Sequence, residues 1–180
     1  MLETVRVWGG PVRPYRPANL STRLATAPWE VSAYWELRRQ VFVVEQRLFQ
    51  ATDRDIFDTL ALPIVAITQS FGMEDQVVGV VRIYPGEAGV FWGGRLGVNR
   101  AHRRHGEVGD GLIKAAVGTA RGLGCTEFLA TVQQQNVRYF ERHHFVVRGE
   151  QMLLGRPHAL MRAKLEVFPV QVGQNVGSAA

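Results

Sequence analysis

Apolar positions along this chain follow two rhythms, one of about 3.6 residues and one of two, and their alternation predicts the elements. Residues 1–20 follow neither. They contain Pro11, Pro14 and Pro17 and no sustained period, which predicts an extended arm, and QVGQNVGSAA at the other end reads as a loose tail. After a first strand near TRLATA, Pro28 precedes WEVSAYWELRRQVFVV, where Val31, Tyr34, Leu37, Val41 and Val44 recur at helical spacing. The β-branched runs LPIVAITQ and VVGVVRIYP, separated by the turn residues of SFGMED, predict an antiparallel pair. VFWGGRLGV predicts a further strand, with a bulge or close backbone approach at Gly93 and Gly94.

The stretch NRAHRRHGEVGDGLIKAAV then runs from charge and glycine into a helix that places Val108, Leu112, Ala116, Val117 and Ala120 on one face and stops at Gly122 and Gly124. TEFLATV predicts a buried strand, NVRYFERHH a short helix, and QMLLG with ALMRAKLEV a closing hairpin. The expected architecture is α/β with a mixed, mostly antiparallel sheet. It comprises an arm over 1–20, one domain over 21–168 and a tail over 169–180.

Composition narrows the classes. A chain of 180 residues with 46% hydrophobic content suits a single core. The lone Cys125 excludes an intrachain disulfide framework and suits a reducing cytoplasm. No run of 18 apolar residues occurs, and MLETVRVWGG lacks the basic and apolar regions of a signal peptide, so neither membrane nor export is expected. The net charge of +5 and a pI near 10.0 invite an anion. Because the only dense cluster of arginine lies between Arg95 and Arg104, a small phosphorylated ligand is expected rather than nucleic acid.

A helix N-terminus offers unpaired N–H groups and partial positive charge, and binds an anion where side chains stay clear. Gly106, Gly109 and Gly111 would let a diphosphate reach the amides from His105 through Glu107, Val108 and Asp110 to Gly111. Arg103 and Arg104 would add charge-assisted hydrogen bonds. The competing reading is a turn followed by a well-packed helix. A Walker A loop is excluded because no Ser or Thr follows Lys114, and a Rossmann fingerprint because the loop follows about the fourth strand rather than the first.

RRHGEVG resembles the acyl-CoA pyrophosphate loop of the GNAT N-acetyltransferase superfamily, and the likeness extends from about Leu20 to Leu165. RLGVNRAHRR matches the family's bulged fourth strand, and NVRYFERHHF its Asn followed by a Tyr-x-x-x-Gly-Phe-like end. LRRQVFVVEQ, DRDIFD and GRPHALM are similar to the branch found in nitrilase-associated bacterial gene clusters. There are departures: Gly109 comes one residue late, Phe140 stands where many members have a tyrosine acid, and His144 where they have glycine.

The resemblance implies a GNAT fold, with acetyl-CoA as acyl donor in a V between RLGV and TEFLATV. Amides of Leu96, Gly97 and Val98 would meet the pantetheine, with one near Val98 polarising the thioester. Phe140 would join the cofactor contacts, and Asn136 and Arg142 would either do the same or merely cap and solvate the short helix. The acceptor would be a small amine. Its base would be Glu45 or His158, histidine being the side-chain type that changes charge near neutral pH. Tyr139, adjacent to Phe140, is the candidate acid. Asp53, Asp55 and Asp58 form either a solvated acidic loop or a rim attracting a cationic amine.

His102 with His105, and His143 with His144, lack a completing carboxylate or cysteine, so no metal is expected. The arm, Trp29 and Trp35 suit a homodimer. Two other readings stay open: an acyl-CoA-binding module of weak activity, which Phe140 favours, and an acyltransferase making a signalling lactone, which requires a longer acyl pocket.

Overall fold

A computed structural model describes residues 19–70, 72–104 and 106–171. Its centre is a seven-stranded sheet made of β1 (Asn19–Leu24), β2 (Leu62–Ser70), β3 (Met73–Pro85), β4 (Val90–Val98), β5 (Glu127–Gln133), β6 (Phe145–Leu153) and β7 (Arg156–Ala163). The spatial order is β1-β2-β3-β4-β5-β7-β6, antiparallel throughout except for the parallel pair β4–β5. That exception follows from connectivity, because β4 and β5 are joined by a crossover through α2 (Glu107–Gly122).

Helix α1 (Pro28–Arg38) covers one face, and the period-2 alternation of the central strands supplies each face with its own core. Tyr34, Leu37, Val41 and Phe42 pack on Val65, Ile67, Val77 and Val80. On the other face Val108, Leu112, Ala116, Val117 and Ala120 of α2 pack on Ile64, Val78, Val81, Phe128 and Met161, as the helical spacing predicts. Val44 departs from the predicted face and is exposed. After Arg38 the chain widens into a π-helical segment, Arg39–Glu45, in which the Gln46 N–H donates to the Val41 carbonyl five residues back. The wider turn shifts the phase and buries Phe42 instead.

Three boundaries differ from expectation. Asn19 and Leu20, expected in the arm, pair with Gln69 and Thr68 as the start of β1, while residues 1–18 lie outside the described residues. Residues 169–171, expected in the tail, lie along α2, where the Gln171 N–H donates to the Gly118 carbonyl at 3.0 Å. Gly118 makes this approach possible, since a Cβ there would stand 2.7 Å from the Pro169 carbonyl oxygen; residues 172–180 lie outside. The closing hairpin starts at Phe145 and ends at Ala163, so Leu165–Val167 is a short 3₁₀ turn and not strand.

Candidate active site

Pairing between β4 and β5 runs from Val90/Glu127 to Gly93/Ala130 and stops. Beyond that point β5 stays with β7 as far as Gln133/His158, while β4 stays with β3 as far as Val98/Gly79. Each strand therefore keeps its outer partner while the two part from each other. Between Gly94 and Gly97 strand β4 holds one residue more than β3 opposite it, and Arg95 adopts a left-handed φ of 54°. The bulge thus falls at Arg95, one residue beyond the predicted Gly93–Gly94. A cleft of about 490 Å³ passes between the parted strands. It is lined from the α2 face by Gly106, Gly109 and Tyr139 and from the α1 face by Phe42, Phe49 and Gln46.

At the α2 mouth, the three glycines of the loop have three different reasons to be glycine. Gly106 caps the helix with φ 69° and supplies no side-chain hydrogen bond, leaving the first-turn amides uncovered. Gly109 makes room for a tyrosine, because a Cβ there would stand 2.3 Å from the Tyr139 hydroxyl. Gly111 faces β1, with Thr22 Cγ2 3.2 Å from where its Cβ would be. Of the three, Gly106 is the one whose missing side chain leaves the first-turn amides uncovered.

Among the predicted cofactor residues, Leu96, Gly97, Val98, Arg103, Gly106, Gly109, Asn136 and Phe140 line the cleft. Arg104, Glu107 and Arg142 are exposed away from it, Val108 is a core residue, Gly111 packs on β1, and His105 lies outside the described residues. Asp110 is engaged by Lys114 at 2.8 Å and by His143 at 3.4 Å.

The candidate acid and bases separate in the structure. The Tyr139 hydroxyl is 3.5 Å from the Gly106 carbonyl, so it sits at the helix start, and burial together with nearby Asp110 pushes its pKa up. The Glu45 carboxylate accepts from Arg103 Nη2 at 2.6 Å, while Arg103 Nε donates to the Val98 carbonyl at 2.8 Å. Glu45 is not a cleft residue. His158 is buried, lines the cleft, and lies 2.9 Å through Nδ1 from the Arg156 carbonyl. A carbonyl oxygen can only accept, so Nδ1 donates this hydrogen bond and Nε2 is the ring nitrogen left outside it.

Asp53, Asp55 and Asp58 are neither a solvated loop nor a rim. Arg38, wholly buried, donates to Asp53 at 2.7 Å, to Asp58 at 2.6 Å and to the Tyr34 hydroxyl at 2.9 Å. Arg82 grips Asp55 through two bonds of 2.7 and 2.6 Å, and Arg95 reaches the Asp53 carbonyl and Asp55. Three guanidiniums and three carboxylates thus pin the chain after α1 against β3 and β4. Burial works against ionisation of Asp58, but Arg38 and Arg82 outweigh it and hold the carboxyl down at about 2. The available signal was Arg38 itself, one residue after Leu37 and four after Tyr34, on a helix face that is otherwise buried.

Comparison with known proteins fits this geometry. Residues 20–145 match the family model of the Acetyltransferase (GNAT) family, to which the chain belongs. A protein of Lactobacillus plantarum assigned to the N-acetyltransferases is similar at 27% identity and a TM-score of 0.71, over 81% of this chain and 98% of that one. An acyl-CoA N-acyltransferase of Pseudomonas aeruginosa shares the fold at 24% identity and a TM-score of 0.65, over 81% and 98%. Escherichia coli ElaA does so at 20% and 0.65, over 81% and 99%. No curated protein matches. Family membership supports acyl-CoA-dependent acyl transfer. Among the described residues, no helix is long and apolar enough to cross a membrane.

Proposed function

We propose that the protein transfers the acetyl group of acetyl-CoA directly to the amine of a small molecule. The observation that carries this reading is the forked pair β4–β5 opening into the same cleft as the uncapped start of α2. The residues present fit such a donor: the mouth beside α2 has free amides, Gly106 without a Cβ, and Arg103. Bound there, acetyl-CoA supplies an activated acyl group.

The chain's own residues do the rest. Amides of Leu96, Gly97 and Val98, beyond the point where β4 leaves β5, orient the donor and stabilise developing negative charge, a contribution of ~10²–10³ in rate per donor. His158 Nε2 takes the proton of the attacking amine, and the hydrogen bond from Nδ1 to Arg156 fixes the ring for that task. Glu45 instead holds Arg103 at the end of β4. Phe140 cannot donate a proton and the Tyr139 hydroxyl lies at the helix start, 3.5 Å from the Gly106 carbonyl, so protonation of the departing thiolate is assigned to solvent. The motifs LRRQVFVVEQ, DRDIFD and GRPHALM support placing the chain in the nitrilase-associated branch.

The test is titration with acetyl-CoA, followed by an amine panel read as free thiol release. Saturable binding with amine-dependent release is expected. Binding without release from any amine would favour an acyl-CoA-binding module, and absence of binding would remove both readings.

A further inference from the structure

The α1 mouth of the cleft lies opposite the mouth beside α2 that the donor takes on the proposed reading, which leaves it to the acceptor. Among the described residues lining the cleft there is neither Asp nor Glu; the ionisable side chains are Arg95, Arg103, His102, His158 and Tyr139. Arg103 lies at the mouth beside α2, where it pairs with Glu45 and the Val98 carbonyl. Arg95 lies at the α1 mouth. Its Nε and Nη2 are held by the Asp53 carbonyl at 3.2 and 2.9 Å, Nε also by the Asp53 carboxylate at 3.2 Å and Nη2 by Asp55 at 3.1 Å. Nη1 has no hydrogen-bond partner among the described residues and is not enclosed.

Three further observations separate Arg95 from an ordinary surface arginine. It occupies the bulge in a left-handed conformation that a non-glycine residue adopts at a cost, and such strain persists where the surroundings enforce it. Its guanidinium lies 4.6 Å over the Phe49 ring, which fixes the plane of the fork. Burial and the neighbouring Arg82 lower its pKa against the pull of Asp55 and Asp53.

Arg95 shares this face of the sheet with His158, because Ala159 and Met161 point into the α2-side core and His158 alternates with them. Gln133, opposite His158, reaches Gln46 at 3.4 Å across the same mouth.

We infer that Arg95 is a specificity residue that reads a carboxylate on the acceptor, so that the substrates are amines bearing a carboxylic acid. The inference rests on the transfer reading for the amine. A single free guanidinium nitrogen flanked by neutral amides suits a planar monoanion better than a dianionic phosphate, which needs more donors to leave water.

Matched ligands test it. N-acetyl amino acids and their carboxamides, with small, aliphatic and aromatic side chains, are titrated calorimetrically against the protein saturated with CoA. In at least one series the acid is expected to bind ~10-fold or more tighter than the amide, the size of a lost charge-assisted bond. Arg95→Gln is expected to reduce that preference to about threefold or less while CoA affinity is kept. Equal binding of acid and amide by the unmodified protein overturns the inference, whether or not the variant folds. So does failure of every acid to bind, or a preference that survives Arg95→Gln in folded protein. Thiol release from acetyl-CoA with the parent amino acids is read separately. An acid preference without turnover removes the transfer reading and leaves the carboxylate site standing.

Discussion

The α2 mouth presents backbone amides left uncovered at Gly106, whereas the α1 mouth presents Arg95, Gln133 and His158, side chains delivered by three separate strands. The first arrangement needs one short stretch of chain. The second needs the sheet to be assembled and the segment after α1 to be pinned on it. The first mouth should therefore yield to changes in local backbone, and the second to changes in remote packing and charge.

The sharpest way to break the second mouth without touching it is Arg38→Met. It takes from Asp53 and Asp58 their wholly buried partner, leaving Asp53 only Arg95 and Asp58 only Arg82, and should cost about 3 kcal/mol in denaturant unfolding. Next is His158→Gln, which should lower turnover ~10²-fold or more, as loss of a general base does, with acetyl-CoA affinity unchanged by calorimetry. Glu45→Gln is the control: retained turnover assigns the base to His158, and a comparable loss would return that role to Glu45.

The carboxylate network also fixes a pH dependence. The folded pKa of Asp58 is depressed to about 2 and that of Asp55 is also lowered, so their stabilisation is complete above the unfolded carboxylate range near 4. It is lost as pH falls from there through the folded values. Thermal melts should hold steady above pH 5 and drop between about pH 4 and 2.

At the first mouth, Gly106→Val should weaken acetyl-CoA binding about tenfold, ~1.4 kcal/mol. Space is not the cause, since nothing stands within 4 Å of a Cβ there. The cost comes from a β-branched residue held at φ 69° and from its methyls over the first-turn amides. The smallest effect belongs to Tyr139→Phe. With the hydroxyl set at the Gly106 carbonyl, turnover should change by less than about threefold. A drop of ~10² would instead make Tyr139 the general acid.

Local signals made the first mouth legible. A strand, a glycine, two arginines and an amphipathic helix occur consecutively, and the physics of a helix N-terminus acts over the same few residues. Even there, Gly109 and Gly111 were read too generously, because their reasons lie in Tyr139 and Thr22, 30 residues after and 89 residues before them, respectively. DRDIFD reads as a solvated loop because acidic runs usually are, and nothing local indicates that Arg38, Arg82 and Arg95 will arrive.

The sequence by itself determined the order and type of the elements, the buried faces of β2, β3 and α2, and the anion-ready helix start, since hydrophobic period and glycine placement act locally. Tertiary structure alone decided the π-turn that exposes Val44, the bulge at Arg95 and the pairing of Glu45 with Arg103. Each depends on partners brought together by sheet register, and register is set by the sum of all strand contacts rather than by any one stretch of chain.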